Sequence, residues 1–170
     1  MRYFIAMAGL ALLTTACGKA EPVKRQPGSW SQKIEIAEFT GPGITAAQKS
    51  QMQSLMNLAS GMSMCITPDM AAQEDMQKTL ASMGGQGNCT VVSKDISGSK
   101  IVFVTECKEP GKTVRVSGDG TNTGSAQNVK MTVETIGDTK NASKLVMNVT
   151  SSRTGDCKPG DITPRTLPKS

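Results

Sequence analysis

The chain has 170 residues, enough for one domain with a single hydrophobic core once a leader is set aside. It contains no histidine, which removes the commonest general base and the commonest metal ligand together. Its net charge of +5 does not indicate nucleic acid: residues 28–157 carry twelve basic and twelve acidic side chains, and aromatic residues are 3% of the chain, too few for a basic, aromatic-laced groove.

Met1 and Arg2 open a cationic start, and Tyr3 to Leu13 is an uncharged, largely apolar run of eleven residues. At 1.5 Å per residue it reaches about half of the ~30 Å hydrocarbon core, so it reads as a signal segment rather than a span. Thr14-Thr15-Ala16-Cys17 resembles a bacterial lipobox, with Ala16 before the cut and Cys17 as the lipidated residue; Thr14 stands where Leu is commoner. That resemblance implies a signal peptide over 1–16, a thioether lipid plus an N-acyl chain on Cys17, and membrane attachment through them, since stable anchoring needs more than one chain. By analogy with enterobacterial sorting, Gly18 in place of Asp implies the outer membrane, facing the periplasm.

Residues 17–27 read as a polar, proline-bearing, lipid-anchored tether, with Lys19, Lys24 and Arg25 against Glu21. From Gly28, the alternation of Trp30, Ile34 and Ile36 with Ser31, Lys33 and Glu35 predicts a strand that ends at Gly41-Pro42-Gly43. Thr45-Ala-Ala-Gln48 fits a capping box, and Met52, Leu55, Met56 and Ala59 form one apolar face of the helix it opens. Thr67 suits an N-cap and Pro68 the first helical position of a second helix, expected to stop at Gly84-Gly85. Beyond it the period changes to two, and strands are predicted over 89–96, 100–107, 112–118, 127–136 and 143–153, with turns at 97–99, 109–111, 118–124 and 137–138. Such short turns join neighbours antiparallel. The expected fold is α+β: a mostly antiparallel sheet of five to six strands with both helices packed on one side. Residues 28–157 form the domain, and residues 158–170, with three prolines and no apolar pattern, are expected to be disordered.

Four cysteines remain after export, and in an oxidising compartment they imply two disulfides. Cys89 and Cys107 lie equally far from Gly98, so a hairpin closing there sets them opposite each other on neighbouring strands. Cys65 and Cys157 are then left to each other. Without a CxxC spacing, the bridges read as staples.

Seven methionines fall between Met52 and Met83. Met52, Met56, Met76 and Met83 sit on apolar helix faces and read as flexible core filler in a chain short of aromatics. The alternative is a Cu(I) site of Met62, Met64 and a Cys65 thiolate, since thioether sulfur is soft. The Gly-rich run from Met83 to Asn88 lacks the Lys-Ser/Thr end of a P-loop and precedes a strand. Lys100 beside Ser97 and Ser99 has nothing to depress its pKa, and the acids have no paired spacing. No catalytic constellation, metal site or cofactor is otherwise expected.

With these parts in place the chain resembles DUF3617, a family of small exported Gram-negative proteins. Pro27-Gly28-Ser29-Trp30, Cys65-Ile66-Thr67, Gln86-Gly87-Asn88-Cys89, Cys107 and Arg153-Thr154-Gly155-Asp156-Cys157 carry the likeness in order over residues 27–157. The resemblance implies an exported, four-cysteine, often lipidated domain and transfers no catalytic residue. The expected function is that of a non-enzymatic binding or accessory domain on the membrane, acting on an envelope component and not on nucleic acid.

Overall fold

A computed structural model describes residues 19–75, 79, 88–137 and 142–163. Among the described residues nine elements follow in chain order: β1 (Gly28–Thr40), α1 (Ala46–Ser60), β2 (Met64–Ile66), α2 (Pro68–Gln73), β3 (Cys89–Ser97), β4 (Lys100–Glu109), β5 (Lys112–Asn122), β6 (Ala126–Gly137) and β7 (Ser143–Gly155). The strands form one antiparallel sheet of seven, in the order β2-β1-β7-β6-β5-β4-β3. Strands β3 to β7 are a meander, and β1 returns to pair along the last of them. The α+β class is as expected, but the strand count is seven rather than five or six. The strand missed by sequence reading is β2, whose three residues are too few to show a period.

The stretch 118–124, expected as a turn, is mostly strand: β5 runs on to Asn122, with Gly118 opposite Phe103 and Gly120 opposite Ile101. A Cβ on Gly118 would lie 2.3 Å from Phe103 Cε1. The glycine therefore makes room for a ring rather than for a bend. Phe103 joins Ile96 and Ile101 in one core cluster, flanked by Val91, Val116, Val129 and Met131. A second cluster joins Trp30, Ile66 and Ala71, with Met70 against it.

The β3–β4 hairpin closes on a two-residue loop, Gly98-Ser99, with Gly98 at φ +52° as such loops demand. Its centre lies half a residue beyond Gly98, which on its own would put Cys107 out of line with Cys89. A bulge between Val91 and Ser93 restores the register, and Cys89 faces Cys107. Their sulfurs are bonded at 2.03 Å, and Cys65 is bonded to Cys157 at 1.97 Å.

Helix α1 begins on the capping box: Thr45 Oγ1 accepts from Gln48 N at 3.3 Å, and Gln48 Oε1 accepts from Thr45 N at 2.8 Å. Its docking meets the expectation only in part. Of the expected apolar face, Met52 and Met56 are half-buried, whereas Leu55 is 57% exposed and Ala59 is exposed; Leu58 is 74% exposed, and no residue of the helix is fully buried. The face that docks along the outer edge of β1 joins these two methionines to a polar stripe. Gln53 Nε2 donates to Ile34 O at 3.0 Å, Gln53 Oε1 accepts from Ile36 N at 2.7 Å, Ser60 Oγ accepts from Ile34 N at 3.1 Å, and Lys49 Nζ donates to Ala37 O at 3.2 Å. Beyond Trp30, β2 no longer pairs with β1, so that edge would present bare N–H and C=O groups. One glutamine amide thus stands in for a neighbouring strand.

Helix α2 starts as expected, with Thr67 Oγ1 accepting from Met70 N at 3.3 Å and Pro68 in the first turn. It stops at Gln73 rather than at Gly84, because Glu74 turns to an extended conformation and gives its carboxylate to Arg25. The expected stop at Gly84-Gly85, like Met76 and Met83, lies outside the described residues.

Candidate functional site

The sheet has two ends, and the chain closes one of them with segments that carry no periodic pattern. Residues 19–27, expected to be a tether, run across the end that holds the β3–β4 and β5–β6 turns. Val23 N donates to Gly98 O at 2.8 Å, Gly98 N to Ala20 O at 3.1 Å, and Gln26 N to Gly124 O at 2.8 Å. Asn122, 4% exposed, donates from Nδ2 to Val23 O at 2.7 Å and accepts from Gly124 N at 2.9 Å. Trp30 Nε1 donates to Gln26 O at 2.9 Å, so the ring is sealed beneath the segment with its polar atom satisfied.

The basic residues of this strap are spent on the domain. Arg25 donates from its backbone N (2.8 Å) and from Nε (2.6 Å) to the two oxygens of Glu74, and its guanidinium lies 5.7 Å from the Trp30 ring centroid. Lys24 Nζ donates to Ala72 O at 2.6 Å, at the open end of α2. Lys19 and Lys100 both bind Asp95, at 2.9 and 2.7 Å. Hydrogen bonds from Lys100 and then Lys19 pull the Asp95 carboxyl down from 3.8 to about 2. The same contact raises the Lys100 ammonium, the opposite of what a nucleophilic lysine beside serines would need.

Between the strap, the end of α2 and the β3–β4 turn lies a cavity of about 460 Å³. Ile96 and Ile101 form an apolar wall with Pro22 and Val23. Lys24, Lys100 and Asn122 add donors, and Glu21, Glu74 and Asp75 add carboxylates. Such a lining suits a small amphiphile with an apolar body and a charged head. Sequence reading missed this site because its parts come from four segments spread over about 100 residues, and Val23 is the one large aliphatic residue of the strap.

The tail behaves like the strap. Residues 158–170 were expected to be disordered, yet Cys65 N donates to Ile162 O and Ile162 N to Ser63 O, both at 2.9 Å. Ser63 Oγ also bonds Asp161, whose carboxyl this contact, with the Lys158 N–H, holds below its usual range. Residues 164–170 lie outside the described residues.

Cys17 lies outside the described residues as well. Of the copper set, Met62 is 51% exposed and Met64 begins β2, but the Cys65 sulfur is bonded to Cys157 and has no thiolate to offer. That reading keeps two thioethers only. Among the described residues no group of three or more His, Cys, Asp or Glu could hold a metal ion, and no helix is long and apolar enough to cross a membrane.

No curated protein and no solved structure matches the chain. A family model does, over residues 25–157, a span that runs from Arg25 of the strap to Cys157 of the long-range disulfide. The chain belongs to that family, the proteins of unknown function DUF3617.

Proposed function

We propose that this chain is a non-enzymatic, lipid-anchored protein of the cell envelope, attached through Cys17 at the outer membrane and facing the periplasm. Its domain binds a small amphiphilic component of the envelope in the cavity under the strap. The cavity carries this reading: about 460 Å³ lies within the range of ligand sites, and its isoleucine wall and charged rim complement the two halves of an amphiphile. The lipobox-like Thr14-Thr15-Ala16-Cys17 supports the anchor, and the two disulfides suit an oxidising compartment.

Native mass spectrometry of the full protein, released gently from membranes, tests the cavity. The expected result is a co-purifying amphiphile that is lost in Val23→Trp, which fills the space and leaves Ile96 and Ile101 unsubstituted. Identical spectra for both forms, with no added mass after incubation with envelope lipid extract, would sink the cavity reading. Turnover of a hydrolase substrate that a single point mutant abolishes would sink the non-enzymatic one.

A further inference from the structure

We propose that the anchor is a short leash that seats the strapped end of the sheet on the bilayer, so that the domain stands on the membrane in one orientation with the Gly98 turn toward anionic headgroups. The inference rests on the lipid-anchored reading above. Cys17 precedes Lys19 by two residues, and two extended residues span at most ~7 Å. Lys19 is already held by Asp95, and Ala20 O by Gly98 N. Had residues 17–27 been a free tether of eleven residues, the domain could have stood off by as much as ~40 Å. Docking removes that freedom. Three extended residues from Cys17 to Ala20 span at most ~11 Å, and Ala20 O lies 3.1 Å from Gly98 N. The β3–β4 turn therefore stays within ~15 Å of the attachment point, under two Debye lengths of ~8 to 10 Å.

Two lysine ammonium groups reach the surface at this end. Lys19 and Lys100, with side chains 76% and 56% exposed, both bind the carboxylate of Asp95 and hold their ammonium groups at the surface beside the leash. Glu21, exposed on the strap, and Asp119, whose charge acts on Lys100, offset the surplus over Asp95, so the length of the leash sets the seat and the two ammonium groups make the local headgroup contacts. Cations this close to a phospholipid surface are attracted to its anionic headgroups. The seat also places the cavity rim, Glu21 to Lys24, close to the bilayer, where a lipid-derived amphiphile is supplied.

The test uses the full lipoprotein in vesicles of phosphatidylethanolamine and phosphatidylglycerol, with thiol probes at the two ends of the sheet. Ser99→Cys marks the seated end and Glu109→Cys the opposite end. A polymer-linked maleimide is expected to label Ser99→Cys several-fold more slowly than Glu109→Cys. A flexible Gly-Ser linker of about twelve residues between Gly18 and Lys19, adding ~20 Å of reach, is expected to restore the Ser99→Cys rate. Equal rates at both ends without the linker, or a slow Ser99→Cys that the linker leaves slow, would overturn the leash. Mass analysis of the mature N-terminal peptide separates the two readings: an unmodified Cys17 sinks the anchor itself, whereas an acylated Cys17 with equal rates sinks only the seating.

Discussion

The two ends of the sheet are built differently. At the strapped end Trp30, Ser29, Ile66, Ile101 and Asn122 are all buried to 4% exposure or less, beneath a segment held by backbone hydrogen bonds and ion pairs. At the opposite end, where the β4–β5 and β6–β7 connections lie, Phe39, Val114 and Leu145 stay partly exposed and Ile136 is 44% exposed. Each end has one disulfide: Cys65–Cys157 spans 92 residues at the strapped end, and Cys89–Cys107 spans 18 toward the other. The contrast teaches that alternating apolar residues suffice to make a sheet but not to close it. Closure came from segments with no pattern, held by polar contacts.

The largest expected effect separates the two bridges. Replacing both Cys65 and Cys157 by Ala should destabilise by ~4 to 5 kcal/mol, against ~3 for the Cys89/Cys107 pair, because the longer loop regains more entropy when opened. Denaturant midpoints at constant slope decide it; a larger loss at Cys89/Cys107 would reverse the ranking. Next, Gly118→Val should cost ~1 to 3 kcal/mol by forcing Phe103 aside. Adding Phe103→Leu should make the combined loss less than the sum of the two single losses, whereas strict additivity would separate the glycine from the ring.

Deleting residues 158–170 removes the two backbone hydrogen bonds between Ile162 and the segment around β2. The expected cost is ~1 to 2 kcal/mol, read as a drop of a few degrees in the thermal midpoint. An unchanged midpoint would return the tail to solvent. Thr105 sharpens the contrast with opposite sign: it is 1% exposed, and its Oγ1 has no hydrogen-bond partner among the described residues. Thr105→Val should be neutral or stabilising by up to ~1 kcal/mol, and a clear loss in chemical denaturation would reveal a partner.

The smallest effect is acid release of the strap's outer end. Asp95 titrates lower folded, at about 2, than its ordinary 3.8, so its contribution is complete above about pH 4 and fades as pH falls toward 2. Asp95→Asn should abolish that acid-dependent step in amide exchange at Val23 and Gly98. An identical profile in the variant would place the step elsewhere.

Much of the sheet was legible. Strands β3, β4, β6 and β7 were placed within two residues at each end, since period-two alternation is written into each segment by itself. Opposition of Cys89 and Cys107 was also anticipated, though through two offsets that cancel: a turn centre half a residue late and a bulge at Val92. The α1 cap was readable from Thr45 and Gln48 alone, but not the face that docks. Apolar periodicity argued for Met52, Leu55, Met56 and Ala59, of which only Met52 and Met56 are half-buried, whereas the free edge of β1 demanded hydrogen-bonding partners and took Lys49, Gln53 and Ser60.

Local grammar determined, from the sequence by itself, the α+β class, the meander, the helix starts and the family likeness, because each rests on the spacing of residues within one short stretch. Only the tertiary structure decided that residues 19–27 are a strap, that residues 158–163 dock beside β2, and that Glu74 ends α2. Each of those outcomes is a contact between a patternless segment and a partner about 50 to 100 residues away. A backbone N–H or a carboxylate takes whichever partner the fold brings within about 3 Å, and no spacing along the chain encodes that choice.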